Sequence, residues 1–368
     1  MSRIDSLIQG IQDLQYSADT KTFDKGMFGS VRFHNTLPYR RDDNNIFFPA
    51  TIGFILLKHM HLLDTVQSDK VHAIISGIRD NYGPFLSISD PYSYNFYKTQ
   101  PNQHYPNGYF LSKIDHFGLA DDADDTVIMT MSLEDVSKER IDTIRQSLVQ
   151  FANLTNKKIK GYAAEYADLP FYGTWFGSGR MPIELEFCVL CNILCFTFRY
   201  DLELNDQDHA SLELINRAIR NRDIINRRFQ ISGMYPRTPV VLYHITRLYT
   251  VMKEPSLYFD REDLISISKE VYSVTTSILE RVICAIALLR LGVSPEYVDW
   301  DLNDATFQKE CETFPFFTAP MLSGTSNGLL NYLKQFDFFK IHFRCKAFYY
   351  TLLLEYELLR KESANLLS

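Results

Sequence analysis

The chain lacks several features that would assign it to a membrane, a secreted or a nucleic-acid-binding class. No apolar run reaches about 18 residues without a charged or strongly polar side chain, the length that a spanning helix needs. The start, Met1-Ser2-Arg3-Ile4-Asp5, has no apolar signal core. Because 38 lysines and arginines are outnumbered by 45 acidic residues, nucleic acid is not an expected partner. We therefore expect a cytoplasmic protein.

Cysteine, tryptophan and linker-like segments are also scarce. Three of the 6 cysteines, Cys188, Cys191 and Cys195, lie at the spacing of one helix face inside an apolar segment. This favours reduced, packed thiols over a disulfide framework or a metal site. No stretch rich in Gly, Ser or Pro divides the chain, so we expect a single domain over residues 1–368. Against only 2 Trp there are 27 Phe and 22 Tyr, which line or fill the interior.

Apolar segments with helical spacing recur along the chain. Six of them start at a polar or charged residue and continue almost wholly apolar: 46–57, 127–133, 183–198, 240–251, 278–291 and 343–359. Six others carry narrower apolar stripes and more charge: 3–14, 68–81, 137–153, 211–225, 260–272 and 327–339. The pattern predicts an all-α fold, a single (α/α)6 toroid of six inner and six outer helices. An aromatic-rich insert covers about 82–117.

An acid cluster, Asp121, Asp122, Asp124 and Asp125, opens the second inner segment. An acid at a helix N-terminus contributes about 0.3–1 kcal/mol, whereas carboxylates about 5 Å apart repel by roughly 3 kcal/mol at an effective dielectric near 20. One interpretation is a protonated general acid among Asp122, Asp124 and Asp125. A second is a Mg²⁺ site in which Asp121 and Asp125 hold the ion and a substrate diphosphate. A solvated helix cap is the third.

Two short motifs carry a family resemblance. Asp122-Ala123-Asp124-Asp125-Thr126 before an apolar helix resembles the Asp-x-Asp-Asp-Thr motif of class II terpene cyclases, the squalene–hopene and copalyl diphosphate cyclase group. Gly173-Thr174-Trp175-Phe176-Gly177 resembles the Gly-x-Trp core of the motif repeated in squalene–hopene cyclases. The resemblance implies an α/α toroid that needs no cofactor. It also implies that Asp124 protonates an isoprenoid alkene while Asp122 and Asp125 hold it and tune its acidity.

A carbocation formed in this way needs a lining that does not attack it. Aromatic faces provide one, at about 0.5–2 kcal/mol each. The substrate-binding candidates are Trp175, Phe176, Tyr94, Phe96, Tyr97 and Tyr109. Class II cyclases build their pocket between two helical domains, so a one-domain chain implies a pocket inside the ring or a homodimer. The isoprenoid substrate makes peripheral membrane contact an expectation.

A metal-dependent alternative has its own residues. Asn205, His209 and Glu213 are spaced much like the second metal motif of class I terpene synthases, and Arg247-Leu248-Tyr249 resembles their late Arg-Tyr pair. Such an enzyme would use Mg²⁺. The arginine-rich stretch that ends at Arg237 could grip a diphosphate, because Arg offers forked donors to phosphate oxygens.

Three further alternatives remain. A toroid glycosidase would pair Asp124 with Glu184 or Glu186. A protein prenyltransferase β-subunit would hold zinc, here with only Glu186, Cys188 and His244 as candidates. A binding module without turnover would hold a lipid or isoprenoid in its ring.

Overall fold

The computed structural model of the protein describes residues 2–100, 119–159, 164–176, 183–321 and 328–367. Most of these residues are helical. The helices are α1 (Arg3–Leu14), α2 (Phe47–His59), α3 (Thr65–Arg79), α4 (Ala123–Met131), α5 (Lys138–Gln150), α6 (Phe187–Arg199), α7 (Asp206–Arg220), α8 (Asp223–Asn226), α9 (Arg228–Ile231), α10 (Thr238–Val251), α11 (Arg261–Val274), α12 (Ile278–Arg290), α13 (Ala305–Thr313), α14 (Gly328–Leu333) and α15 (Lys346–Leu367).

Six of these helices, α2, α4, α6, α10, α12 and α15, are buried along most of their length. Their sequences are apolar on nearly every side, so burial stabilises each Leu, Ile or Phe by about 1.5–3 kcal/mol. They pack in succession, α2 on α4, α4 on α6, α6 on α10, α10 on α12 and α12 on α15, and α15 returns to α2.

More amphipathic helices cover this core. Helix α1 packs on α15, α3 on α2, α5 on α4, α7 on α6 and α11 on α12. Their starts are well defined by side-chain caps. In α1, Ser2 accepts a hydrogen bond from the Asp5 N–H while the Asp5 carboxylate accepts one from the Ser2 N–H, and Asp64 and Gln67 repeat this arrangement at α3.

A four-stranded antiparallel sheet makes the prediction of an all-α fold wrong. Its strands are β1 (Ser30–Phe33), β2 (Arg40–Asp43), β3 (Phe317–Pro320) and β4 (Lys340–Cys345), in the order β2-β1-β4-β3. The strands are only four to six residues long, and β2 is entirely charged, so no alternating apolar pattern announces them. The mainly helical character of the prediction is confirmed.

Several predicted boundaries also shift. The last inner segment starts as β4, and its helix begins only at Lys346. Helix α6 begins at Phe187 rather than near 183, because Glu186 is extended and forms a bridge with Ser232. The predicted outer helix over 327–339 shrinks to α14, whereas α13, which contacts α12 and α15, was not predicted.

Two predictions about chain chemistry can be compared with the described ranges. None of the helices there has the length and apolar character to cross a bilayer. All six cysteines lie within these ranges, where each is buried and forms no disulfide.

Candidate functional site

The acid cluster lies where three chain segments meet at the start of α4. The Asp122 N–H donates to the Tyr94 carbonyl at 2.9 Å, and isolated bridges join Asp122 to both Tyr94 and Trp175. On the other side, the Phe176 N–H donates to the Asp121 carbonyl at 2.8 Å. The first part of the aromatic insert and the Gly-x-Trp stretch therefore flank the acid cluster directly.

Asp122 is the N-cap of α4, and its side chain turns back toward its own helix. One carboxylate oxygen accepts from the Asp124 N–H at 2.7 Å and from the Asp125 N–H at 3.4 Å. Burial and the neighbouring Asp124 charge raise the pKa of Asp122 well above its ordinary value, while the two N–H groups act in the opposite direction. Asp122 thus fixes the backbone that presents the next two acids.

Asp124 is buried and held by two donors from distant parts of the chain. Its Oδ1 accepts from Asn192 Nδ2 at 2.5 Å, and its Oδ2 accepts from the Tyr235 hydroxyl at 2.8 Å. Arg247 Nη2 donates to Asn192 Oδ1. Because a guanidinium can only donate, it fixes the amide oxygen toward itself and the amide NH₂ toward Asp124.

These surroundings act on the two charge states of Asp124 in opposite ways. Burial raises the pKa of Asp124, whereas Asn192, Tyr235 and the positive charge of Arg247 lower it. Both oxygens of Asp124 accept hydrogen bonds, so the carboxylate formed when a proton leaves is surrounded by donors. This combination suits a general acid.

Asp125 is buried with neither carboxyl oxygen hydrogen-bonded within the described residues. Burial, together with Asp122 and Asp124, raises its pKa well above the ordinary value. Asp121 is only half-buried, and its Oδ2 accepts from the Ser87 hydroxyl at 2.5 Å.

The magnesium interpretation needs Asp121 and Asp125 to face one hydrated ion. Mg²⁺ keeps several of its waters, whereas Asp125 is buried and Asp121 is bonded to Ser87. Across the described ranges, no three His, Cys, Asp or Glu side chains are grouped so that they could hold a metal. The two aspartates thus have different surroundings, and magnesium stays an alternative that the Mg²⁺ dependence of turnover would test.

Tyr235 connects Asp124 to a group of rings, which we call the aromatic cluster: Phe47, Phe48, Tyr235, Phe316 and Phe317. Ring centroids lie 6.0 Å from Tyr235 to Phe47, 6.1 Å to Phe316 and 6.0 Å to Phe317, and Phe48 lies 5.1 Å from Phe317. The sequence interpretation missed this cluster, although the two Phe-Phe pairs were a possible signal.

Three of the predicted substrate-binding aromatics lie on the flanks of the acid cluster. The Tyr94 hydroxyl accepts from Arg140 Nη1 at 3.1 Å, Trp175 Nε1 donates to Glu184 Oε2 at 2.9 Å, and the Phe176 and Phe151 ring centroids are 6.1 Å apart. Their side chains therefore have partners other than Asp124.

The other four predicted substrate-binding residues are dispersed. Phe96 joins the rim of the aromatic cluster, with its ring centroid 6.0 Å from that of Phe317. The Tyr97 hydroxyl donates to Asp43 at 2.9 Å. Arg237 donates to Glu280 at 2.6 Å and does not contact Asp124. Tyr109 lies outside the described residues.

The residues of the class I alternative are engaged at the surface. Asn205 caps α7 by accepting from the Asp208 N–H at 2.9 Å, His209 is exposed, and Glu213 pairs with Arg217 at 2.6 Å. Arg247, by contrast, is buried beside Asn192. Arg247 therefore belongs to the hydrogen-bond network of Asp124, and the sequence did not predict this.

The zinc candidates are not arranged as ligands of one ion. Ser232 donates to Glu186 and lies 3.6 Å from the Cys188 sulfur, while His244 Nδ1 is 2.7 Å from the Val240 carbonyl of its own helix. Each of the three side chains is buried and has a contact of its own within the core.

Glu186 gives a pH-dependent prediction for stability. Burial raises its pKa from 4.5 to about 8, against the opposing hydrogen bonds from Ser232 and the Met234 N–H. The folded protein then binds a proton that the unfolded chain has lost, so stability falls as pH rises from about 4.5 to about 8. We expect Glu186→Gln to remove this loss and to be more stable than wild type at pH 8, by about 1–4 kcal/mol. Urea unfolding at pH 5 and pH 8 measures the difference, and identical pH dependence in both proteins would refute the assignment.

A scan of protein-family models and a search of curated proteins give no match to this chain. The functional inference therefore depends on the site's own chemistry. That chemistry consists of three buried carboxyls, donors aimed at one of them, and aromatic rings adjoining it.

Proposed function

We propose that the protein is a terpene cyclase that protonates an isoprenoid alkene with Asp124 and guides the resulting carbocation along aromatic rings. The observation that carries this is that Asp124 is buried between Asn192 and Tyr235, and that Tyr235 also belongs to the aromatic cluster. The proposed acid, the donors that would stabilise its anion and the rings that would stabilise the cation therefore lie next to one another. An alkene is a very weak base, so its protonation requires a donor that is shielded from water and whose anion is stabilised as the proton leaves.

The fold part of the proposal is an α/α toroid. Its inner ring consists of α2, α4, α6, α10, α12 and α15, which pack in a closed succession. Its outer ring consists of α1, α3, α5, α7, α11 and α13. The small sheet lies beside this ring and supplies Phe317 to the aromatic cluster.

The proposed reaction begins when the Asp124 proton forms a C–H bond at one alkene carbon. The π electrons form that bond, the other carbon becomes cationic, and the carboxylate left behind keeps its bonds to Asn192 and Tyr235. Internal alkenes then attack the cation in turn, water takes a proton from the last cation to give a cyclic isomer, and a proton from solvent restores Asp124. Rings of the aromatic cluster stabilise the cations by about 0.5–2 kcal/mol each.

Asp122 and Asp125 support Asp124 without being the acid. Asp122 accepts from the Asp124 N–H at 2.7 Å and so fixes the backbone of the acid. Burial and the two neighbouring aspartates raise the pKa of Asp125, which favours its neutral form beside the Asp124 carboxylate. This division of roles agrees with what the resemblance implies for the two residues.

Incubation with candidate isoprenoids tests the proposal. Farnesyl diphosphate, geranylgeranyl diphosphate and a squalene-type hydrocarbon are each offered with Mg²⁺ and with EDTA, and products are separated by gas chromatography and mass spectrometry. We expect a cyclic product that still forms in EDTA. Recovery of every substrate unchanged would support a binding module, and strict dependence on Mg²⁺ would support class I chemistry.

Arg247 supplies a second prediction within this proposal. It is 1% exposed, and its Nε and Nη1 have no hydrogen-bond partner in the described residues, so its charge is available to stabilise the Asp124 anion through Asn192. We expect Arg247→Met to lower kcat about 10- to 100-fold with KM nearly unchanged, since a charge-assisted interaction of roughly 1.5–3 kcal/mol is lost in the transition state.

A matched control is Arg199→Met. Arg199 and Arg247 both lie over the Phe54 ring, at 5.7 and 5.4 Å, but Arg199 is exposed. Its loss should leave kcat within about twofold of wild type, because an exposed substitution away from the site changes little. Equal kcat values for the two variants would remove Arg247 from the mechanism.

A further inference from the structure

A second site lies on the other side of one wall of the aromatic cluster. A partly open cavity of about 440 Å³ is bordered by α8, α9, the start of α10, the end of α11 and strand β4. Two segments build the shared wall. In the first segment, Tyr235 donates a hydrogen bond to Asp124, and Arg237, two residues later, lines the cavity. In the second, Phe317 packs in the aromatic cluster, and the next residue, Thr318, lines the cavity.

Four basic side chains from three elements line this space, which we call the basic cavity: Arg228, Arg237, Lys340 and His342. Lys340 and His342 are two residues apart on β4, so they face the same side of the strand. Lys340 is 4% exposed and His342 is 3% exposed. Arg228 and Lys340 both lie over the ring of Phe229, at 5.3 and 3.7 Å from its centroid.

The three acids of the cavity are already engaged. Glu280 accepts from Arg237 at 2.6 Å, Glu270 accepts from Arg222 outside the lining, and Asp337 accepts from Asn35 at 2.6 Å. Within the described part of the chain, Arg228 forms no ion pair. Burial lowers the pKa of Lys340 to about 8, and Arg228 acts in the same direction. These cations are therefore crowded and not fully neutralised.

His342 is a second observation that points to a ligand-binding role for the cavity. Both nitrogens of its buried ring lack a hydrogen-bond partner among the described residues, and the ring lines the cavity. Nε2 lies 3.0 Å from Asp337 Oδ1, but the two groups are not aligned as a hydrogen bond. A buried ring nitrogen that makes no hydrogen bond is costly, so a bound ligand that supplies one would stabilise this arrangement.

We infer that the basic cavity binds the phosphoryl group of a ligand through Arg228, Lys340 and His342. One donor comes from α9 and two come from β4, and three separate donors suit a tetrahedral group with several oxygens better than a planar carboxylate with two. The inference does not depend on acid catalysis by Asp124. A phosphate-bearing small molecule and the diphosphate end of an isoprenoid share the chemistry that this site recognises.

Isothermal titration with inorganic phosphate and inorganic diphosphate at constant ionic strength tests the site. We expect wild type to bind diphosphate, and both R228Q and K340Q to bind it at least about tenfold more weakly. R217Q, which removes an exposed arginine paired with Glu213 on α7, should bind as wild type does. Because Arg228 is exposed and forms no ion pair within the described residues, R228Q should fold as wild type does. Its binding result therefore tests the site even if K340Q, which alters a buried residue, does not fold. No binding by wild type, or equal binding by R228Q and R217Q, would overturn the inference.

Competition distinguishes the two ligand sources. If the site holds the diphosphate end of the substrate, inorganic diphosphate should inhibit turnover of a prenyl diphosphate and spare that of a hydrocarbon. If it holds a separate ligand, titrated diphosphate binding should persist in the presence of saturating prenyl diphosphate. Either result supports a phosphoryl site. If the protein binds diphosphate but forms no cyclic product from any substrate, the proposed function is rejected and the phosphoryl site stands.

Discussion

Asp124→Asn is expected to lower cyclisation about 10²- to 10⁴-fold, the range that a positioned general acid contributes. The substitution keeps the shape of the side chain, and its amide oxygen can still accept from Asn192 as Asp124 does at 2.5 Å. It removes the proton that is transferred. Product formation from the best isoprenoid, measured alongside the circular dichroism of the variant, separates lost chemistry from lost folding.

Asp121→Asn is the matched control for this variant. Asp121 belongs to the same acid cluster, but it is half-buried and bonded to Ser87 rather than to the donors of Asp124. Its loss should change the rate by less than about fivefold, because no group that touches the reacting carbon is altered. Full activity of Asp124→Asn would mean that another group supplies the proton.

Glu355→Ala is expected to cause the largest loss of stability, about 3–5 kcal/mol, because it leaves buried charge without its partner. Glu355 on α15 accepts from Arg290 at 2.5 Å, His59 at 2.9 Å and the Tyr243 hydroxyl at 2.7 Å, all in the core. Although burial opposes it, Arg290 and His59 hold the pKa of Glu355 well below its ordinary value. Urea unfolding at pH 7 measures the change.

Glu362→Ala, on the same helix but only half-buried, should stay within about 0.5 kcal/mol of wild type. Glu355→Gln should be intermediate, because it keeps the shape and some hydrogen bonds but not the charge that faces Arg290 and His59. If Glu355→Ala unfolds at the same urea concentration as Glu362→Ala, the buried ion network contributes nothing to stability.

Local patterns in the sequence predicted much of the helical framework. The segment 278–291 predicted α12, which is buried on most sides, and 3–14 matches α1. Strand β2, which reads Arg40-Arg41-Asp42-Asp43, has no apolar alternation, and its neighbour β1 is held in the sheet by β4 from near the other end of the chain. Pairing with distant segments, rather than local propensity, determines such short strands.

The acid cluster was evident in the sequence, but the roles of its members were not. Asn192 is 68 residues from Asp124 and Tyr235 is 111 residues away, so no local motif could identify them as its partners. The aromatic residues were sought in the insert, where they are dense, yet the rings that adjoin Tyr235 come from α2 and β3. Burial, which only the fold determines, separates Asp125 from Asp121.

The central claim is that cyclisation begins with a proton from Asp124, and isotope incorporation tests it most directly. Enzyme equilibrated in D₂O carries a deuteron on Asp124, and that deuteron becomes part of a new C–D bond in the product. We predict a cyclic product one mass unit heavier than that formed in H₂O, with EDTA present and with the label at the alkene carbon that receives the proton. A cyclic product without deuterium, formed with release of diphosphate, would contradict the account.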